Sequence, residues 1–152
     1  MQTHSSDMRT NKITPISSRK TKAAKRGAWA IANDLPSSFK YAFQGLIYSS
    51  LSQRNFRIHL FIGSIVFGLA IWLKLASNSF AILILTVATV LVLELLNTSI
   101  EAVVDLAIGR RYHPLARIAK DCAAGAVLVA SISSILIATL LLLPPLFSRL
   151  SG

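Results

Sequence analysis

The sequence predicts an all-α integral membrane protein with three transmembrane helices preceded by an interfacial amphipathic helix. Three observations lead there. The chain of 152 residues is 53% hydrophobic, with a mean hydropathy of +0.59, yet carries a formal net charge of +10. That pairing is natural when apolar residues face lipid and basic ones face water and anionic headgroups. Three apolar runs are each long enough to span a hydrocarbon core of ~30 Å at 1.5 Å per residue. The basic residues, finally, are distributed unevenly between the runs.

In chain order, residues 1–34 read as a basic, disordered tail, with Asp7 the only acid before residue 27. An anionic-lipid contact and a plastid-type transit peptide remain open for this segment. No apolar stretch follows the early basic residues, so a secretory signal peptide is not expected. A membrane domain follows over 35–147. Its first element is an interfacial helix over 36–55, in which Phe39, Ala42, Phe43, Leu46, Ile47 and Leu51 recur at the spacing of one apolar face. Ser37 or Ser38, after Pro36, is a reasonable N-cap.

The spans are placed at about 58–75, 79–106 and 121–143. Pro144-Pro145 is expected to stop the third, because proline lacks the amide hydrogen a helix needs. A C-terminal tail covers 148–152. The competing reading, buried helices of a soluble bundle, requires amphipathic stripes, and residues 80–93 have none. The single cysteine, Cys122, excludes an internal disulfide.

Ten of the 16 Lys and Arg residues precede the first span: Arg9, Lys12, Arg19, Lys20, Lys22, Lys25, Arg26, Lys40, Arg54 and Arg57. The first loop has only Lys74 at its edge, whereas the second has Arg110, Arg111, Arg117 and Lys120. The positive-inside rule then places the N-terminus and second loop in the cytoplasm, and the C-terminus outside.

The second span ends in ELLNTSIEAVVD. At 100° per residue, Glu94, Asn97, Thr98, Glu101 and Asp105 fall within an arc of roughly 100°, while Leu95, Leu96, Ile100, Val103 and Val104 keep the other face apolar. Burying a carboxylate at membrane depth costs about 2.5–3.5 kcal/mol. One reading makes the stripe polar glue: Asn97 and Thr98 bonding across helices, and acids paired with Lys120 or Arg117. Contacts of that kind contribute only about 0.6–2 kcal/mol each. The other reading is a site at the cytoplasmic membrane surface. Glu94 and Glu101 are about 10 Å apart along the helix, too far to chelate one ion together. That spacing suits one carboxylate holding Mg²⁺ on a polyphosphate and the other acting as a base towards a lipid hydroxyl. Basic loop residues would meet phosphates. An ion relay would want acids spread over several spans, and the other two spans have none in their interiors. Neither a G-x-x-x-x-G-K-[ST] nor a G-x-G-x-x-G phosphate cradle is present.

ELLNTSIEAVVD, then YHPLARIAKDCAAGAVL, with NFRIH before the first span, together resemble the prokaryotic diacylglycerol kinase family, which includes undecaprenol kinases. The segments E-x-x-N-[ST]-x-[IL]-E-x-x-x-D and Y-H-x-x-x-x-x-A-K-D carry the likeness, over about residues 37–143. The resemblance implies a homotrimer with active sites shared between neighbours, and an ATP-dependent kinase of a membrane lipid alcohol that works with Mg²⁺ and without a P-loop. It implies a multi-pass protein of the plasma (inner) membrane. No nucleic-acid partner is expected.

By position, Glu94 resembles the catalytic base, and Glu101 a metal ligand that also contacts ATP. Tyr41, Tyr112, His113, Lys120 and Asp121 resemble nucleotide contacts. Asn55, Phe56, Arg57, Glu94 and Asn97 fall where the lipid substrate approaches. Gln53 stands where the family pattern has a second metal-binding glutamate. Its carbonyl oxygen can still coordinate Mg²⁺ and sit beside ATP, but it brings no charge, so weaker metal binding is expected. Arg110-Arg111 add basic charge and one residue to the loop. Tyr41 and Tyr112 could instead be interfacial aromatics, Lys120 and Arg117 orientation charges, and His113 a cap; His59 reads as a structural interface residue. The competing class is a non-catalytic trimeric membrane protein, or a nucleotide-binding regulator, whose polar stripe serves helix packing.

Overall fold

A computed structural model describes residues 35–109 and 111–152, and every element in it is helical. The reading of the tail at 1–34, and Arg110, lie outside the described residues. Four helices follow in order: α1 (Leu35–Ser52), α2 (Arg54–Trp72), α3 (Ser77–Ile108) and α4 (Pro114–Leu150). The chain divides into two units at residue 41, so α1 begins in the first and ends in the second, which runs Ala42–Gly152.

The breaks have local causes. Gln53 leaves the helical region (φ −101°, ψ 114°), which separates α1 from α2 where the sequence suggested helix through residue 55. The Gln53 amide still donates to Ser49 O at 2.9 Å, closing α1, and Asn55, Phe56 and Arg57 open α2. α2 ends with Lys74 in the left-handed region (φ 53°), its amide bonded to Ile71 O and that of Leu75 to Ala70 O. This is the Schellman arrangement, which satisfies carbonyls a helix end would otherwise leave unpaired. α3 ends at Gly109 (φ 59°), a residue with no Cβ to clash there, whose amide donates to Asp105 O at 3.0 Å.

α4 corrects one expectation: it runs through Pro144-Pro145 to Leu150. Proline removes a donor and crowds the carbonyl four residues back, yet its fixed φ is helical, and helices that cross membranes tolerate it. The last turn is also tied down from outside the helix. Arg149 Nη1 donates to Trp72 O at 2.8 Å, and the guanidinium lies 4.7 Å from the centre of the Trp72 ring.

α2, α3 and α4 are each long and apolar enough to cross a membrane, and only 17%, 17% and 11% of their most apolar stretches are buried within the chain. Most of the apolar surface therefore has its partner outside this chain. α3 is the central element, packed against both α2 and α4, which touch each other little. Ala70, Leu73, Leu83 and Leu142 form the buried core, flanked by Phe67 and Phe80 with ring centres 5.9 Å apart. This core lies by the α2–α3 turn, at the end of α3 away from its polar stripe.

Gly63 marks a close approach of α2 to α3: a Cβ there would lie 2.8 Å from Val87 Cγ1. Val87 is β-branched and has little rotamer freedom with which to yield. Gly63→Leu should destabilise the protein by about 1–3 kcal/mol through overpacking, measured as a lower unfolding midpoint in detergent. An unchanged midpoint would show that α2 and α3 can separate freely.

Candidate functional site

α3 outlasts its apolar run, and its final three turns carry the polar stripe. A span of ~20 residues from Ser77 ends near Asn97, which leaves Glu94 within the apolar part and Glu101 and Asp105 beyond it. Glu94 is 3% exposed, a buried carboxylate, while Asn97, Glu101 and Asp105 are half-buried.

Much of the stripe bonds to α3 itself. Thr98 Oγ1 donates to Glu94 O at 2.9 Å, the back-bond typical of a helical threonine. Asn97 Nδ2 donates to Glu101 Oε1 at 3.2 Å across one turn, whereas Asn97 Oδ1 is buried with no protein partner. Two contacts cross to neighbouring helices. His59 Nε2 of α2 lies 3.4 Å from Glu94 Oε1, and Lys120 Nζ of α4 donates to Asp105 Oδ1 at 2.6 Å.

Beyond the stripe, the turn into α4 encloses an open cavity of ≈520 Å³. Asp105, Arg111, Tyr112, His113, Arg117, Lys120 and Asp121 all reach its wall. His113 is the N-cap of α4: its Nδ1 accepts from the Leu115 amide at 3.3 Å, and Pro114 follows at the first helical position, where a missing amide hydrogen costs nothing. The cap holds the imidazole at the cavity mouth. Arg117 Nε stands 3.5 Å from Asp121 Oδ2, but both side chains are exposed, and such pairs are readily exchanged for a better partner.

The structure thus gathers Tyr112, His113, Lys120 and Asp121 around one cavity, and aligns Glu94, Asn97 and Glu101 on one helix face. Tyr41 lies on α1 in the first unit, largely exposed. Asn55 and Arg57 are exposed on the first turn of α2 and Phe56 between them is buried, so of the three it is a packing residue in this chain. Gln53 is half-buried at the α1–α2 break and caps nothing with its side chain. Among the described residues no three or more His, Cys, Asp or Glu side chains are grouped to hold a metal ion. The oxygens of Glu101 and the unpartnered Asn97 Oδ1 are nonetheless hard donors of the type Mg²⁺ takes, and a phosphate-bound ion needs only one or two carboxylates.

The contact that sequence reasoning missed is His59 against Glu94. A usable signal existed: His59 is the one ionisable residue between Arg57 and Lys74, and such residues inside spans usually have a role. Its partner could not be named, because the two lie 35 positions apart on different helices.

A family model for prokaryotic diacylglycerol kinase matches residues 40–142. A diacylglycerol kinase of Synechocystis sp. is 51% identical over 127 residues, covering 84% of this chain and 73% of its own. An undecaprenol kinase of Bacillus subtilis is 39% identical over 109 residues, covering 72% and 88% respectively. A diacylglycerol kinase of Escherichia coli is 35% identical over 96 residues, covering 63% and 78%.

The Lys120–Asp105 pair is about one-third exposed on both sides, which limits what it adds to stability. Asp105→Asn should cost about 1 kcal/mol or less in unfolding experiments in detergent. A much larger loss would make the pair a structural tie between α3 and α4 and leave Lys120 less free to meet a ligand.

Proposed function

This chain belongs to the prokaryotic diacylglycerol kinase family and is an integral-membrane lipid kinase, and on that premise we propose that it transfers the γ-phosphoryl group of ATP to a lipid alcohol at the cytoplasmic membrane surface. The observation that carries this is the placement of Glu94: a buried carboxylate where α3 leaves its apolar run, on the same face as Asn97 and Glu101, with the cationic cavity beginning about three turns further on. A lipid hydroxyl at headgroup depth can reach Glu94, while a nucleotide enters from water.

Glu94 accepts the hydroxyl proton as the lipid oxygen bonds to the γ-phosphorus and the bond to the ADP oxygen breaks. Lys120 turns from the single carboxylate of Asp105 to the more highly charged polyphosphate and offsets charge on the transferring group. Tyr41 and Tyr112 supply ring surface for the nucleotide, and His113 and Asp121 supply polar contacts. Asn97 steadies Glu101 through its amide, and Asn55 and Arg57, with Phe56 packed beneath them, flank the lipid approach. Glu101, with Gln53 and the phosphate oxygens, would hold Mg²⁺, which when bound neutralises charge on the polyphosphate.

The acceptor is diacylglycerol or undecaprenol. The 51% likeness to a protein named diacylglycerol kinase favours the first, and NFRIH inclines towards the second. The exposed apolar faces of α2–α4 suit a homotrimer in the plasma (inner) membrane, and the distribution of basic residues supports an N-terminus in the cytoplasm and a C-terminus outside. The packing-only reading is not favoured, because Thr98 and Asn97 bond within α3 rather than across helices.

Purified protein in mixed micelles with γ-labelled ATP and Mg²⁺ should phosphorylate one of these lipids, and Glu94→Gln should lower turnover about 10²- to 10⁴-fold. Equal turnover by the variant would remove Glu94 as the base, and no product from either lipid would remove both acceptors. Gln53→Glu restores a negative charge and should lower the half-saturating Mg²⁺ concentration by roughly tenfold. An unchanged Mg²⁺ dependence would exclude Gln53 from the metal site.

A further inference from the structure

Glu94 has a neighbour that the proposed chemistry does not use. His59 Nε2, on the second turn of α2, stands 3.4 Å from Glu94 Oε1, with the two side chains 24% and 4% exposed. Three side-chain donors on or beside the stripe are occupied elsewhere. Asn97 Nδ2 goes to Glu101, Thr98 Oγ1 goes to the main chain, and Lys120 goes to Asp105. A buried carboxylate without a partner is expensive, and for Glu94 the partner in this chain is an imidazole from another helix.

We propose that His59 is a positioning residue for Glu94, holding Oε1 through Nε2–H so that Oε2 is presented to the acceptor hydroxyl. This rests on the reading of Glu94 as the base. A base oriented by a third group is a recurrent arrangement, because a carboxylate free to rotate spends little time in the geometry for proton transfer. The separation of 3.4 Å is loose, as such contacts often are without substrate, and closure of the site can tighten it.

The surroundings of His59 support an orienting role over simple packing. His59 also borders a cavity of ≈110 Å³ between α2, α3 and α4, whose wall includes Thr86, Ser131 and Ser134. Ser131 Oγ is buried there with no protein partner. His59 thus borders that space while its Nε2 stands 3.4 Å from the carboxylate.

The test is a double-mutant cycle on the full chain in mixed micelles, with kcat and both KM values measured and folding checked by circular dichroism. His59→Leu should lower kcat about 10- to 100-fold, the loss expected for a hydrogen bond to a charged group, with KM for ATP little changed. His59→Gln, which keeps a donor at similar reach, should recover much of it. In the Glu94→Gln background, His59→Leu should cost nothing further.

Full kcat in His59→Leu would overturn the proposal, and so would an equal loss in both backgrounds. If His59→Leu does not fold, His59→Gln against His59→Asn decides: the longer amide should restore turnover and the shorter should not, and equal rates would sink the idea. Wild-type protein inactive with both lipids defeats the proposed transfer to these acceptors and this inference with it. Active wild type, inactive Glu94→Gln and unaffected His59→Leu defeats the inference alone.

Discussion

Glu94 lies where the apolar run of α3 ends, almost wholly buried, and a carboxylate there is tolerated only with compensation. That constraint organises the end of the molecule around it. α2 brings His59 to the carboxylate, and α3 continues past the apolar run so that Asn97, Glu101 and Asp105 follow on the same face. α4 begins early, at Pro114, so that Lys120 comes level with Asp105. Had α3 stopped where its hydrophobic residues stop, no surface would connect a lipid headgroup to the cationic turn.

The opposite end is built differently. Around the α2–α3 turn, small and apolar residues pack tightly: Ala70, Leu83 and Leu142 are buried, and the last turn of α4 is held to Trp72 by Arg149. Close packing where there is no chemistry, and polar contacts where the proposed chemistry lies, is an economical division for so small a chain. α3 belongs to both regions, which makes it the rigid link between them.

Phosphoryl transfer needs positioning and charge neutralisation more than covalent chemistry. A chain with no P-loop can therefore serve, provided side chains replace the missing backbone cradle. Arg111, Arg117 and Lys120 share one cavity with the cap of α4, and in the proposed reaction they would supply that charge from loop and helix together. Arg117 pairs with an exposed acid at 3.5 Å and Lys120 with a partly exposed one at 2.6 Å, and pairs open to water in this way yield to a polyphosphate.

Helix identity, the three spans and the polar face of α3 were legible in the sequence, because hydropathy and a 3.6-residue period depend only on neighbours along the chain. So was the stripe Glu94, Asn97, Glu101 and Asp105, whose members are spaced within one helix. Residue patterns could not locate the break at Gln53 or carry α4 through Pro144-Pro145, since each depends on what the backbone meets in three dimensions. The buried state of Phe56 between exposed Asn55 and Arg57 follows from how α2 sits in the bundle. Above all, only the tertiary structure set His59 against Glu94: the sequence determined that each stands within an apolar run, and the packing of α2 on α3 decided that they face each other.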